Sequence, residues 1–161
     1  MKGWRTTGIL AALTVLVLAF SIPGSLRAAF ERGNVYVFSH EFFEHIPLRL
    51  AGPGRFRFFF QPLFATILGV RSGIADAKAG RPPYVYGILF DSRSRGELAA
   101  SAFREVVNLL LMGILLDSLF QWVLIGVSYP GAALLVGPVL IVTPYAIARA
   151  VANRFVRLRG H

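Results

Sequence analysis

The chain has no cysteine. That excludes disulfides, thiolate metal sites and cysteine nucleophiles, and it leaves the compartment open. Acids are scarce, with eight Asp and Glu against seventeen Lys and Arg and a formal net charge of +9. No glycine-rich phosphate loop, nucleophile elbow or haem-attachment motif occurs. No basic patch stands clear of the apolar runs, which argues against nucleic acid as the reason for the positive balance. In a chain this apolar, Lys and Arg instead hold cytoplasmic ends against anionic lipid. Long polar stretches are missing too, as are repeats and low-complexity segments, so no separate soluble domain fits within the 161 residues.

What is present is hydrophobic: 55% of the residues, with a mean hydropathy of +0.61. The centre of the chain is Glu105–Ser128, almost wholly apolar apart from Asp117 near its middle. About 20 apolar residues suffice to cross a bilayer core of roughly 30 Å. An uncharged turn, Val127–Gly131, leads into a second apolar run, Gly131–Ala152. Together they read as a transmembrane helical hairpin.

Upstream, Lys2 and Arg5 precede the apolar run Gly8–Ile22, and Pro23-Gly24 breaks it. This is the layout of a signal peptide, but Arg27 beside Ala28 and Ala29 makes a poor cleavage site, so it reads as an uncleaved signal-anchor. Phe58–Val70 is the weakest run, reaching only about 20 Å. Extended toward Ala77, with Arg71 snorkelling, it crosses; a re-entrant segment is the alternative. The expected fold is an all-α integral membrane protein, one membrane domain over residues 1–161. Its four transmembrane helices lie near 8–26, 58–77 (short or re-entrant), 105–128 and 131–152, with a short amphipathic interfacial helix besides.

That interfacial helix is Ser39–Ile46, SHEFFEHI, which Pro47 ends or bends. Ala51–Gly54 is a turn. The connection over residues 73–94 holds Tyr84–Phe90, too short to span and suited to an interfacial aromatic belt. Ser94-Arg95-Gly96-Glu97 fits a capping box with Ser94 as N-cap, which starts the long helix at Arg95 and runs it to about Val127.

Four spans place both termini on one side. With that side inside, Lys2, Arg5, Arg71, Lys78, Arg81, Arg93, Arg95, Arg104, Arg149, Arg154, Arg157 and Arg159 are cytoplasmic. Arg27, Arg32, Arg49, Arg55 and Arg57 are outside. Twelve against five satisfies the positive-inside rule and points to a multi-pass protein of the cell (inner) membrane with cytoplasmic ends.

Asp117 is the first candidate for chemistry, because a carboxylate at mid-span should face protein or water. Gly113, Asp117 and Gln121 share one stripe, and Asn108 lies about 180° away in another contact. Thr143 matches the depth of Asp117 on the returning helix, and Pro144 frees the Leu140 carbonyl. The reading is a protonated Asp117 bonded to the Thr143 hydroxyl and that carbonyl, as helix–helix glue. The alternative is a proton or cation relay through Asp117, Gln121 and Gln61.

His40, Glu41, Glu44 and His45 form the second candidate. His40 pairs with Glu44, and Glu41 with His45, at i,i+4; each pair could give a metal two ligands. The histidines are five apart, which is not the zinc-protease spacing. His161 is expected across the membrane. The plainer reading is the solvated face of an interfacial helix, and no cofactor is expected. Phe58, Phe59, Phe60, Tyr84, Tyr86 and Trp122 read as core and interface anchors. Arg55, Arg57, Tyr84, Tyr86, Arg154 and Arg157 are expected against lipid head groups. Gly69/Gly73, Ala146/Ala150 and Ala148/Ala152 permit close helix packing.

With no catalytic set legible, the functional reading is a small accessory, assembly or scaffolding subunit. Its partners are membrane lipids and other membrane subunits or copies of itself, not nucleic acid. The alternatives are a transporter or channel component using Asp117 and Gln121, and a membrane metalloprotein using His40 and Glu44.

Overall fold

The computed structural model describes residues 2–159, with side chains from Arg5 onward. His161 and the Lys2 side chain therefore lie outside the described residues. The elements are α1 (Lys2–Arg32), a 3₁₀ turn (Tyr36–Phe38), α2 (His40–Ala51), α3 (Arg57–Lys78), α4 (Tyr84–Phe90), α5 (Ser92–Ile125) and α6 (Pro130–Arg159). Among the described residues there is no strand. Four stretches, Arg5–Arg32, Arg57–Lys78, Ser92–Ile125 and Pro130–Arg159, are long and apolar enough to cross a membrane.

Side chains are sorted the opposite way from a water-soluble domain. Leu16, Phe20, Phe30, Val123 and Leu158 are exposed, while Asp76, Asp117, Gln121, Arg149 and Asn153 are buried. Charged side chains are almost never fully buried unless paired, so these positions organise the interior.

Contacts divide the chain into two compact units. One comprises Met1–Phe59 and Leu110–Val139. In it, α1 passes straight through Pro23 and runs to Arg32, beyond the end of the first span expected near residue 26. One missing N–H does not outweigh the helical bonds on either side, and the Ser21 and Ser25 hydroxyls donate back to the Val17 and Ile22 carbonyls. Gly33, at φ +70°, ends the helix with its N–H on the Ala29 carbonyl. Pro47 likewise lies inside α2, which continues to Ala51 instead of stopping at Ile46. The extra turn carries Arg49 into the interior. Phe42, Tyr36, Tyr129, Ala28 and Ala132 form the apolar core, and the Tyr36 and Tyr129 rings stack 3.8 Å apart.

The loop from α2 to α3 presses on α5. A Cβ at Gly54 would stand 2.6 Å from the Phe120 ring, and one at Gly52 would meet Leu124 at 2.8 Å. Only glycine allows this approach, and it sets Arg49 and Arg57 on either side of a loop pinned to α5.

The other unit comprises Phe60–Leu109 and Leu140–His161. The run expected to be weakest is a continuous 22-residue helix, α3, with Pro62 inside it. Gly69 and Gly73 lie against the α6 backbone at Tyr145 and Arg149, with Ala148 and Ala152 beside them. The small residues of the two helices thus face one another. The N-cap of α5 is Asp91, not Ser94: the Arg93 N–H donates to Asp91 Oδ1 at 3.1 Å, and the Ser94 hydroxyl donates to Oδ2. An acceptor ahead of the first turn serves its free N–H groups better than one already inside it. Together the two bonds hold the Asp91 carboxyl below the usual carboxylate range, the Ser94 hydroxyl being the stronger cause.

Candidate functional site

Asp117 is fully buried, and its partners are two arginines and an amide. α2 brings Arg49, whose Nη1 donates to Oδ1 at 3.1 Å and to Oδ2 at 3.2 Å. The first residue of α3 brings Arg57, whose Nη2 donates to Oδ1. Gln121, one turn along α5, donates from Nε2 to Oδ2 at 2.7 Å. The Gln121 Oε1 accepts the Tyr129 N–H at 2.8 Å, which fixes the amide orientation. Every neighbour of the carboxyl is therefore a donor. A protonated acid would need an acceptor, so the group is a carboxylate held by two guanidiniums.

This differs from the protonated Asp117 expected on Thr143 and the Leu140 carbonyl. Thr143 is exposed, and a guanidinium outcompetes a hydroxyl for a buried carboxylate. Arg57, expected at the lipid interface, is 2% exposed. Its guanidinium lies over the Phe58 ring at 4.7 Å and the Phe120 ring at 5.8 Å, where its Nε and Nη1 find no hydrogen-bond acceptor.

Tyr36 extends this network toward the surface. Its hydroxyl accepts from Arg49 Nη2 at 3.3 Å and lies 2.8 Å from His45 Nδ1. Burial pushes the Tyr36 phenol up, although Arg49 pulls the other way. The four groups of the HEFFEH segment thus part company. His40 Nδ1 lies 3.0 Å from Glu44, both on exposed side chains. Glu41 pairs with Arg32 at 2.6 Å, and Arg32 also reaches the Tyr129 hydroxyl. Among the described residues, no group of three or more His, Asp or Glu could hold a metal ion.

The second unit holds its own buried pair. Arg149, 1% exposed, donates from Nε to Asp76 Oδ2 at 2.6 Å and from Nη2 to Oδ1 at 3.1 Å. Its Nη1 donates to the Tyr145 hydroxyl at 2.7 Å and its Nη2 to Ser101 at 2.8 Å. The Tyr84 ring lies 4.7 Å from the guanidinium carbon; burial pushes the Tyr84 phenol up. Arg81 joins Asp76 to Glu97, and the Asn153 amide donates to the Arg81 carbonyl at 3.1 Å. The Tyr145 hydroxyl donates to Glu105 Oε2 at 3.1 Å, and the Ser72 hydroxyl donates to the same oxygen.

Of the residues singled out from sequence, Asp117 and Gln121 meet directly, while Asn108 and Thr143 occupy exposed positions. Arg55, Arg154, Arg157 and Tyr86 are exposed and Tyr84 is half-buried. Gln61, the third relay member, is buried, and neither amide atom has a hydrogen-bond partner. Arg49, Asp76 and Arg149 carry no motif. The available signal is position: Gly69, Gly73 and Asp76 share one face of α3, and Tyr145 and Arg149 one face of α6.

Comparison of the chain with family models, with curated proteins and with solved structures finds no match.

Proposed function

We propose that the chain is a small membrane-embedded accessory or assembly subunit. The observation that carries the reading is the grip on Asp117, whose two oxygens receive donors from Arg49, Arg57 and Gln121. These donors come from α2, α3 and α5 of the same chain, so the acid is engaged in holding the fold together. The buried charges hold the chain to itself, and the exposed faces of the four long helices are left to lipid and neighbouring subunits. In this reading α1 is an uncleaved signal-anchor, α3 crosses fully, and both ends are cytoplasmic. Burial sharpens the charge asymmetry. Arg149 leaves the inner count of twelve, making eleven, and Arg49 and Arg57 leave the outer count of five, making three.

The test is gentle extraction of the tagged chain in mild detergent, with mass spectrometry of what accompanies it. A stoichiometric membrane partner is expected, and deleting the chain lowers that partner's complex. Asp117→Asn is expected to destabilise the chain by about 3 kcal/mol or more, because it leaves buried guanidiniums uncompensated. A solitary chain that drives ion flux in liposomes, with flux lost in a fully folded Asp117→Asn variant, would overturn the reading.

A further inference from the structure

Glu105 and Arg71 line one cavity, and neither forms an ion pair with the other. The cavity, of about 380 Å³, lies between α3 and α5 and is bounded by Leu68, Arg71, Ser72, Ala75 and Glu105. Glu105 is exposed, and both of its hydrogen bonds, from Ser72 and Tyr145, fall on Oε2. Oε1 keeps its lone pairs for another donor. Arg71 is exposed and forms no ion pair among the described residues. One wall thus offers an acid oriented by two hydroxyls and another offers an unpaired guanidinium. Leu68 and Ala75 supply the apolar remainder.

We propose that this cavity binds the head group of a zwitterionic phospholipid bearing a primary ammonium, a phosphoethanolamine. The phosphate takes the Arg71 guanidinium, and the ammonium donates to Glu105 Oε1. Both are charge-assisted bonds, the strong kind in a partly desolvated site. The acid selects the class. An anionic head group would bring its phosphate toward the Glu105 carboxylate with no cation to offset it. A choline head group carries the right charge and no N–H to donate. Ser72 and Tyr145 fix the Glu105 rotamer before the ligand arrives, so little ordering cost remains on binding. Arg71 and Glu105 flank the apolar parts of α3 and α5, the depth at which head groups sit. The inference rests on the chain lying in a bilayer, and it is independent of the subunit role.

The full chain is reconstituted in vesicles of equal parts phosphatidylethanolamine, phosphatidylcholine and phosphatidylglycerol. The vesicles are washed at alkaline pH and extracted in mild detergent, and the retained lipid is quantified by mass spectrometry. Phosphatidylethanolamine is expected at about tenfold or more over phosphatidylcholine, the worth of one charge-assisted hydrogen bond. Glu105→Gln, which keeps an acceptor for Ser72 and Tyr145, brings that ratio to about one. Arg71→Gln lowers retention of both lipids. Ala75→Leu fills the cavity without touching a charge and lowers retention of both lipids, phosphatidylethanolamine the more, so the proposal stays testable if a charge variant fails to fold. Enrichment of phosphatidylglycerol, or no lipid preference, overturns the inference while the membrane reading stands. A chain that leaves the vesicles in the alkaline wash overturns both.

Discussion

Arg149 chelates Asp76 across 73 positions of sequence, with Nε 2.6 Å from Oδ2 and Nη2 3.1 Å from Oδ1. The pair ties α6 to α3 at the point where Gly73 lets the two backbones close. Both side chains are buried, so removing one partner exposes the full cost of the other.

Asp76→Leu or Arg149→Met alone should therefore destabilise the chain by about 3–5 kcal/mol, whereas the double variant should recover most of that loss. Unfolding in detergent, followed by helix signal for the two singles and the double, closes the cycle. Additive losses would mean that the two groups do not depend on one another.

Gln121 joins Asp117 to the turn ahead of α6. Gln121→Leu leaves the buried Tyr129 N–H without its acceptor and should cost about 1–3 kcal/mol. Gln121→Glu keeps an oxygen for that N–H but sets a second carboxylate beside Asp117, and should cost more than the leucine. A melting series of the three proteins checks the order.

Gly73 and Gly96 should respond in opposite directions to alanine. A Cβ at Gly73 meets the α6 backbone at Arg149 and stands 2.9 Å from the Ala152 Cβ, while one at Gly96 meets nothing within 4 Å. Gly73→Ala should destabilise by about 1–3 kcal/mol through overpacking. Gly96→Ala, inside α5, should stabilise by up to about 1 kcal/mol through helix propensity. Equal effects would mean that the α3–α6 approach is looser than described.

Asp91 gives the start of α5 an acid sensitivity. Its folded carboxyl is held low by the Ser94 hydroxyl and the Arg93 N–H. Its stabilising contribution is therefore complete above the unfolded value of about 3.9 and is lost as pH falls through the lower folded value. Amide exchange over Arg93–Arg95 should quicken in that acid window in the parent chain. In Asp91→Asn it should be flat there.

The long helices were legible because apolar runs of about 20 residues have few competing explanations. Their ends were less so. Pro23, Pro47 and Pro62 each sit inside a helix, since a local breaking tendency yields where tertiary contacts on both sides hold the backbone. Asp117 stood out as a lone acid in an apolar run, and its stripe with Gln121 follows from four-residue spacing. Its partners did not stand out. Arg49 and Arg57 sit among loop-like residues rich in glycine and charge, and only the Gly54–Phe120 approach shows where that segment goes. Asp76 and Arg149 were hidden for a related reason: Asp76 lies near the end of α3 and Arg149 near the end of the apolar run in α6, where a charge looks solvated.

The distances in sequence from Asp117 back to Arg49 and Arg57, 68 and 60 positions, have a consequence for how the polypeptide is made. A nascent chain emerges from its N-terminus, so both cations are synthesised well before the one acid that pairs with them. Until the ribosome has delivered position 117, the early half carries two guanidiniums without the acid they hold in the folded chain. A product truncated ahead of that point is therefore a natural target for quality-control proteolysis.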